Sequence, residues 1–341
     1  MSPDVPRYVA RRVGLAIVTL FLITVIVFAG TQILPGNVAQ RIAGPFATQE
    51  QMEQLAYRLG TDRPLWSQYT DWIFGLPCSA RETDQSGCPF FGRGGAIRGD
   101  LGMSASLSRP VSGLLGRALV NSAKLAVVAF VIVVPLAIFG GVLAALRRDK
   151  LTDRVITVGG LSATVIPEFV SGIVLILIFA IWLDWFPGTA AAPEGAGFFE
   201  QLHHLILPAI PLVLVLFGYI AKITRAGVVE ALDADYTRTA TLKGVPRSRV
   251  IRRDVLRNAL LPTIAVVASQ VGYLIGGLVV VEVLFNYQGI GRLLFDASQK
   301  ADFPLLAGGV LVVALAFQVS MLLADLAYSW LNTRIRLGGE G

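Results

Sequence analysis

Residues able to do chemistry are few in this sequence, and they do not converge. It holds two histidines, adjacent at His203 and His204, and two cysteines, Cys78 and Cys88, without the paired-cysteine spacing of a zinc site. The histidine pair reads better as a cap on the apolar run that follows than as a metal site. No G-x-x-x-x-G-K-[ST] run is present to cradle a phosphate, so the chain has no nucleotide loop of its own. Nothing here predicts a catalytic residue, a metal ligand set or a bound cofactor. What remains are carboxylates in or beside apolar runs: Glu168, Asp184, Glu282 and Asp325. A charge in hydrocarbon is costly unless it faces water or a partner. Glu168 is therefore a candidate to line a polar path, where it would either meet an amine on a solute or cap the backbone freed by Pro167. Glu282 stands near the outer end of its run, which suits a structural or gating role. Asp184, beside Trp185, reads as interfacial.

The elements that must position these residues are membrane spans. With 54% hydrophobic and 15% charged residues in 341, the chain has too little polar surface for a soluble protein of its size. Six apolar runs are candidates for spans: Val13 to Leu34, Leu125 to Leu146, Val155 to Leu183, Leu205 to Ala221, Leu261 to Val281 and Leu305 to Leu331. Most approach or exceed the roughly 20 residues that a helix needs to cross about 30 Å of hydrocarbon. The first is long and lacks a small-residue cleavage site, so it reads as a retained span and not as a signal peptide. The fourth is short, with Pro208 and Pro211 predicting an irregular start. The expected fold is an all-α polytopic membrane protein with about six transmembrane helices.

A net charge of +6 would fit nucleic acid if it were gathered on one soluble face. Its placement instead follows membrane topology. About eighteen of the 29 Lys and Arg fall before the first run, between the second and third, between the fourth and fifth, or after the sixth, which puts both termini in the cytoplasm. Residues 35–118 then form a sizeable first external loop. Its aromatic cluster, Trp66, Tyr69, Trp72 and Phe74, fits a membrane interface or a small core better than a ligand site. In an oxidising compartment Cys78 and Cys88 would be candidates for a disulfide, two free thiols being the alternative. Gly272-x-x-x-Gly276 offers a small-residue helix face.

The most informative segment is 226–260, which reads as helix, turn, helix. Gly244 suits the left-handed residue that ends a helix, and Pro246 the first turn of the next. Small Ala240 and Gly244 would let a partner approach, with Tyr236 and Leu242 as apolar contacts and Arg238 and Lys243 at a charged rim. Residue types alone support this docking knob and a plain basic loop held by lipid headgroups about equally.

The same segment resembles the EAA loop of binding-protein-dependent ABC importer permeases, particularly the dipeptide, oligopeptide and nickel family. The matching residues are Asp235, Tyr236, Arg238, Thr239, Ala240, Lys243 and Gly244, followed by Arg257, Asn258, Ala259, Leu260, Leu261 and Pro262. Arg238 and Thr239 replace the Glu and Ala of the general pattern, as in the peptide and nickel subgroup. The resemblance continues at Leu34-Pro35-Gly36, Gly99-Asp100-Leu101-Gly102 with Ser104, Pro167 with Phe169, Val281-Glu282-Val283-Leu284-Phe285 and Gly289-Ile290-Gly291. Gln288 departs from a usual Pro and Asn37 from a usual Asp, and residues 77–98 look like an insertion carrying both cysteines.

The resemblance implies a type I importer permease in the bacterial inner membrane. Residues 1–34 would be the cytoplasmic N-terminus and first span, 35–118 the external loop region, 119–331 a five-helix core with its coupling loop at 226–260, and 332–341 the tail. It further implies a second homologous permease, two ATPase subunits holding ATP and Mg, and an external solute-binding protein. Peptides or related small solutes would be carried, and Asp235 to Gly244 would couple ATP hydrolysis to transport. Two other classes fit the spans: a secondary transporter driven by an ion gradient, for which Glu168 and the proline-interrupted runs would serve, and a membrane assembly subunit that transports nothing.

Overall fold

The computed structural model describes residues 4–33, 48–59, 64–75, 95–193 and 195–331. Cys78 and Cys88 lie outside them. Among the described residues the regular structure is helical, apart from one isolated antiparallel bridge between Met103 and Pro110. Helices are what such apolar runs must form, because a backbone in hydrocarbon has no water to bond and must satisfy itself.

In chain order the helices are α1 (Asp4–Ile33), α2 (Gln49–Leu59), α3 (Leu65–Phe74), α4 (Val111–Leu146), α5 (Leu151–Val165), α6 (Glu168–Trp182), α7 (Phe198–Asp233), α8 (Asp235–Leu242), α9 (Leu256–Leu284), α10 (Ile290–Gln299) and α11 (Phe303–Leu331). Five segments among them are long and apolar enough to cross a membrane: Arg11–Gly30, Val111–Leu146, Phe198–Asp233, Arg247–Gly272 and Phe303–Asp325. The bent pair α5 and α6 makes a sixth if counted as one span. The chain is an all-α polytopic membrane protein.

Two proline-containing spans show their shape only in the structure. The third, expected over Val155 to Leu183 with Pro167 inside it, bends by 103° between α5 and α6. Pro167 is the cause, since its ring excludes the preceding residue from the helical region; Ile166 is extended at φ −74 and ψ 121. The fourth is not short. It is one helix of 36 residues that keeps both Pro208 and Pro211 inside it. Each proline removes a hydrogen bond and strains the turn before it, but Leu205, Leu207, Ala209 and Leu212 around them are buried, so packing holds the turn in place.

Contacts divide the chain into two units. The first takes the described residues of 3–121 together with Gln288–Ala316. It has an aromatic core in which the Phe28 ring meets Tyr69 at 5.4 Å and Trp72 at 6.2 Å, and the Tyr69 hydroxyl shares a 2.8 Å hydrogen bond with Thr24. The predicted aromatic cluster thus splits, Tyr69 and Trp72 packing inward while Trp66 and Phe74 stay exposed. A second core joins Leu101, Val111, Leu115 and Ala118 to Ile290, Ala297 and Leu305.

The second unit takes Ser122–Tyr287 and the described residues from Phe317 onward. Its centre is α7, which buries Leu207, Leu212, Leu216 and Ile220 among others. Leu125, Ala129, Val133 and Ala137 recur every fourth residue, making one stripe on α4. They belong to one core with Leu212, Leu216 and Ile220 of α7 and Leu274, Leu278 and Val281 of α9. Gly272 is filled from within the chain, since a Cβ there would lie 2.7 Å from the Phe317 ring.

Candidate functional site

α8 hangs from the end of α7. Ala234 is extended at φ −72 and ψ 147, which breaks the helix for one residue, and Thr237 Oγ1 then donates to Ala231 O at 2.7 Å, folding α8 back. Its inner face is Thr237 and Ala240, three residues apart and so on one side of a helix. Ala240 and Val245 pack on a cluster formed by Ala145, Val228, Ala231, Val250, Val255 and Ala259. Ala240 is half-buried there, and its small side chain lets α8 lie close on its own chain.

The other residues of the motif face outward. Asp235, Tyr236, Arg238, Thr239, Lys243 and Gly244 are all exposed, and Leu242 is 80% exposed. Gly244 ends the helix at φ +74. Its N–H reaches Thr241 O at 3.0 Å and that of Val245 reaches Ala240 O at 3.2 Å, the paired bonds of a Schellman stop. A Cβ at Gly244 would meet nothing within 4 Å, so the glycine is required by backbone conformation and not by space. Beyond it, Pro246, Ser248, Arg249, Arg252 and Arg253 line an open groove of about 410 Å³.

Two polar links brace this end of the second unit. Arg225 of α7 donates from Nε and Nη2 to the two carboxylate oxygens of Asp153, both at 2.6 Å. Asp153 also accepts from the Asp149 N–H at 3.0 Å and the Thr157 hydroxyl at 3.2 Å. An exposed pair, Arg148 with Asp233, spans 3.2 Å.

Comparison with known proteins says to which system this polytopic chain with its exposed helix belongs. Residues 137–337 match the family described as the binding-protein-dependent transport system inner membrane component, and residues 5–107 match its N-terminal counterpart. The chain belongs to this family. The glutathione transport system permease protein GsiC of Escherichia coli O6:H1 strain CFT073 is 33% identical over 330 residues, covering 97% of this chain and 99% of the relative. GsiC of strain K12 is 32% identical with the same coverage. A solved amino acid ABC transporter with histidines aligns with 65% of this chain and 94% of its own at 17% identity and a TM-score of 0.48.

This chain is thus a permease subunit of a binding-protein-dependent importer. In the permease, Glu168 is the first residue of α6, half-buried just after the bend, where a negative charge meets the positive end of the helix. Glu282 is fully buried in α9 and accepts a hydrogen bond from the Ser122 hydroxyl. Burial pushes the Tyr287 phenol up to about 12, with the Glu282 charge adding to the shift. His203 bonds Trp185 O at 3.1 Å and His204 bonds Thr189 O at 2.9 Å, so both rings tie down the segment that follows α6.

Sequence reasoning missed Asp302 in the first unit. It caps α11 and accepts from Ser104 Oγ at 2.5 Å, Ser106 N at 3.0 Å and Ser106 Oγ at 2.7 Å. Burial would raise its pKa, but these donors outweigh burial and hold the carboxyl below the ordinary range. The one available signal was an Asp just before a long apolar run, the pattern of a helix cap.

Proposed function

We propose that this permease imports peptide-class solutes by docking separate ATPase subunits on α8. The observation that carries this reading is the outward face of α8, where Tyr236 and Leu242 stand exposed between Asp235, Arg238, Thr239 and Lys243. Its inner face is locked to the chain and its end fixed by Gly244. A rigid helix with apolar contacts and a charged rim suits a groove on a partner. ATP and Mg reside on two ATPase subunits, since the sequence has no phosphate loop of its own. A second homologous permease completes the membrane portion, and an external binding protein delivers the solute.

The permease lies in the bacterial inner membrane, with both termini and α8 in the cytoplasm, as the distribution of Lys and Arg supports. Glu168, beside the bend, lines the path, and Glu282 acts at the outer gate. The peptide class rests on the full-length likeness to GsiC, whose name gives glutathione as the cargo of its system.

The test is the complex reconstituted in proteoliposomes with binding protein, offered labelled glutathione and small peptides. ATP-dependent uptake that disappears when Tyr236 and Leu242 are both changed to Asp, with insertion retained, supports the reading. Uptake by the permease without ATPase subunits, driven by an ion gradient, would refute it.

A further inference from the structure

We propose that Asp153 and Arg225 form the positioning pair that carries motion of α8 to the bent span α5–α6. The proposal rests on the coupling role of α8. One residue, Ala234, separates α8 from α7, and the bond from Thr237 to Ala231 with the surrounding cluster ties the two. A displacement of α8 is therefore delivered to the end of α7.

α7 meets α5 at two levels. At the first, a Cβ added to Gly218 would collide with the Gly160 carbonyl, so the backbones touch. Contact between two glycines has no direction; it is a pivot about which one helix can roll on the other. The second level lies seven residues after Gly218 on α7 and seven before Gly160 on α5, at Arg225 and Asp153, roughly 10 Å away along α7. There a guanidinium grips a carboxylate through two parallel bonds of 2.6 Å. A planar fork fixes direction as well as distance. Pivot and fork together hold α5 at one angle to α7.

The carboxylate is itself anchored. Asp153 is nearly buried, with 6% of its side chain exposed, and it is held by Asp149 N–H and Thr157 Oγ1. Between the two levels α5 widens into a π turn at Val155–Gly159, a segment with slack that the fork removes. α5 then ends at the 103° bend, beyond which α6 begins with Glu168. Without the fork, α7 rolls about the Gly160–Gly218 contact and α6 is left behind.

The test uses the full complex of permeases, ATPase subunits and binding protein in proteoliposomes, with Phe169→Cys in α6, half-exposed in the native chain, as reporter. Maleimide labelling of residue 169, quantified by mass spectrometry, is compared without nucleotide and with ATP plus vanadate. Asp153→Asn and Arg225→Gln should keep ATPase subunits bound and basal hydrolysis within about twofold, yet shrink the nucleotide-dependent change in labelling rate at least fivefold. The swap Asp153→Arg with Arg225→Asp should restore at least half of it. Arg148→Gln, which breaks only the exposed pairs with Asp233 and Asp149, should leave it intact. Arg225→Lys keeps the charge but loses the fork, so it should fold normally and lose more than half of the change.

Full nucleotide response in the Asn, Gln or Lys variants overturns the proposal. A native complex that hydrolyses ATP with its ATPases docked on α8, yet shows no change at residue 169, also overturns it and leaves the docking reading standing. ATPase subunits that bind as well to a permease altered throughout the exposed face of α8 would instead remove that reading, and this proposal with it.

Discussion

Replacing Asp302 with Ala opens the 101–110 loop of the first unit while leaving the helices of the second in place. Asp302 is fully buried and accepts four hydrogen bonds: three from Ser104 and Ser106 at 2.5 to 3.0 Å, and a longer one from Leu305 N–H at 3.3 Å. Each good bond to a charged acceptor contributes about 1.5–3 kcal/mol, and the freed hydroxyls can recover part of that elsewhere. Adding about 1 kcal/mol for the lost helix cap, the variant loses about 4 kcal/mol of local stability. That is roughly a thousand-fold in the opening equilibrium. The assay is hydrogen exchange of residues 101–110, expressed as protection relative to the denatured chain at the same pH. Asp302→Asn, which keeps one acceptor oxygen, should lose about half as much, or roughly thirty-fold in protection.

The native chain should show the same loss in acid. Asp302 has a native pKa below its unfolded value, so over that interval the unfolded state binds more protons and stability rises with pH. The contribution is complete above the ordinary Asp value of about 3.9 and is lost as pH falls through the lower native value. Equal protection of 101–110 in the Ala variant and the native chain at pH 7 would refute the reasoning. So would native protection that persists well below the acid transition.

Three other perturbations follow from the same geometry. Gly244→Val forces a β-branched residue to φ +74, a strain of about 1–2 kcal/mol with no clash, so insertion and expression persist while binding of ATPase subunits in a pull-down falls at least tenfold. Gly218→Leu drives a side chain into the Gly160 backbone; overpacking of this kind costs about 1–3 kcal/mol or more, and the second unit should unfold at lower temperature in detergent. Because the Tyr287 phenol is raised to about 12, it contributes stability that is full below about pH 10 and lost as pH climbs through 12. Ultraviolet titration should show one tyrosine ionising late, and Tyr287→Phe should remove that step.

Much of this architecture is legible from composition because a membrane span is a local property. Val13 to Leu34 and Leu125 to Leu146 declare themselves by length and lack of charge, and no distant residue is needed to interpret them. The two proline-containing spans show where locality ends. Pro167 and the pair Pro208 and Pro211 look alike in sequence, yet the first bends the chain by 103° and the others sit inside an unbroken helix. Buried neighbours along α7 hold its turns where the prolines have removed bonds; at Ile166 the backbone is released into the extended region.

Segment 226–260 divides in the same way. Gly244 was readable because a left-handed helix stop is set by the residue and its immediate neighbours. The direction Ala240 faces was not, because it depends on Val228, Val250 and Val255 closing over it. Asp153 and Arg225 were invisible for a stronger reason. They are 72 residues apart, each is an unremarkable charge at the end of an apolar run, and long-range packing that includes the touching backbones of Gly160 and Gly218 brings them together. The sequence motif thus marks the surface that a partner would meet, while the contacts that would make the surface consequential are long-range and carry no local pattern. It follows that substitutions on the exposed face of α8 should act on partner binding, whereas substitutions at Asp153 or Arg225 should separate binding from movement. A set of variants sorted by that distinction is the sharpest way to tell a docking surface from the frame behind it.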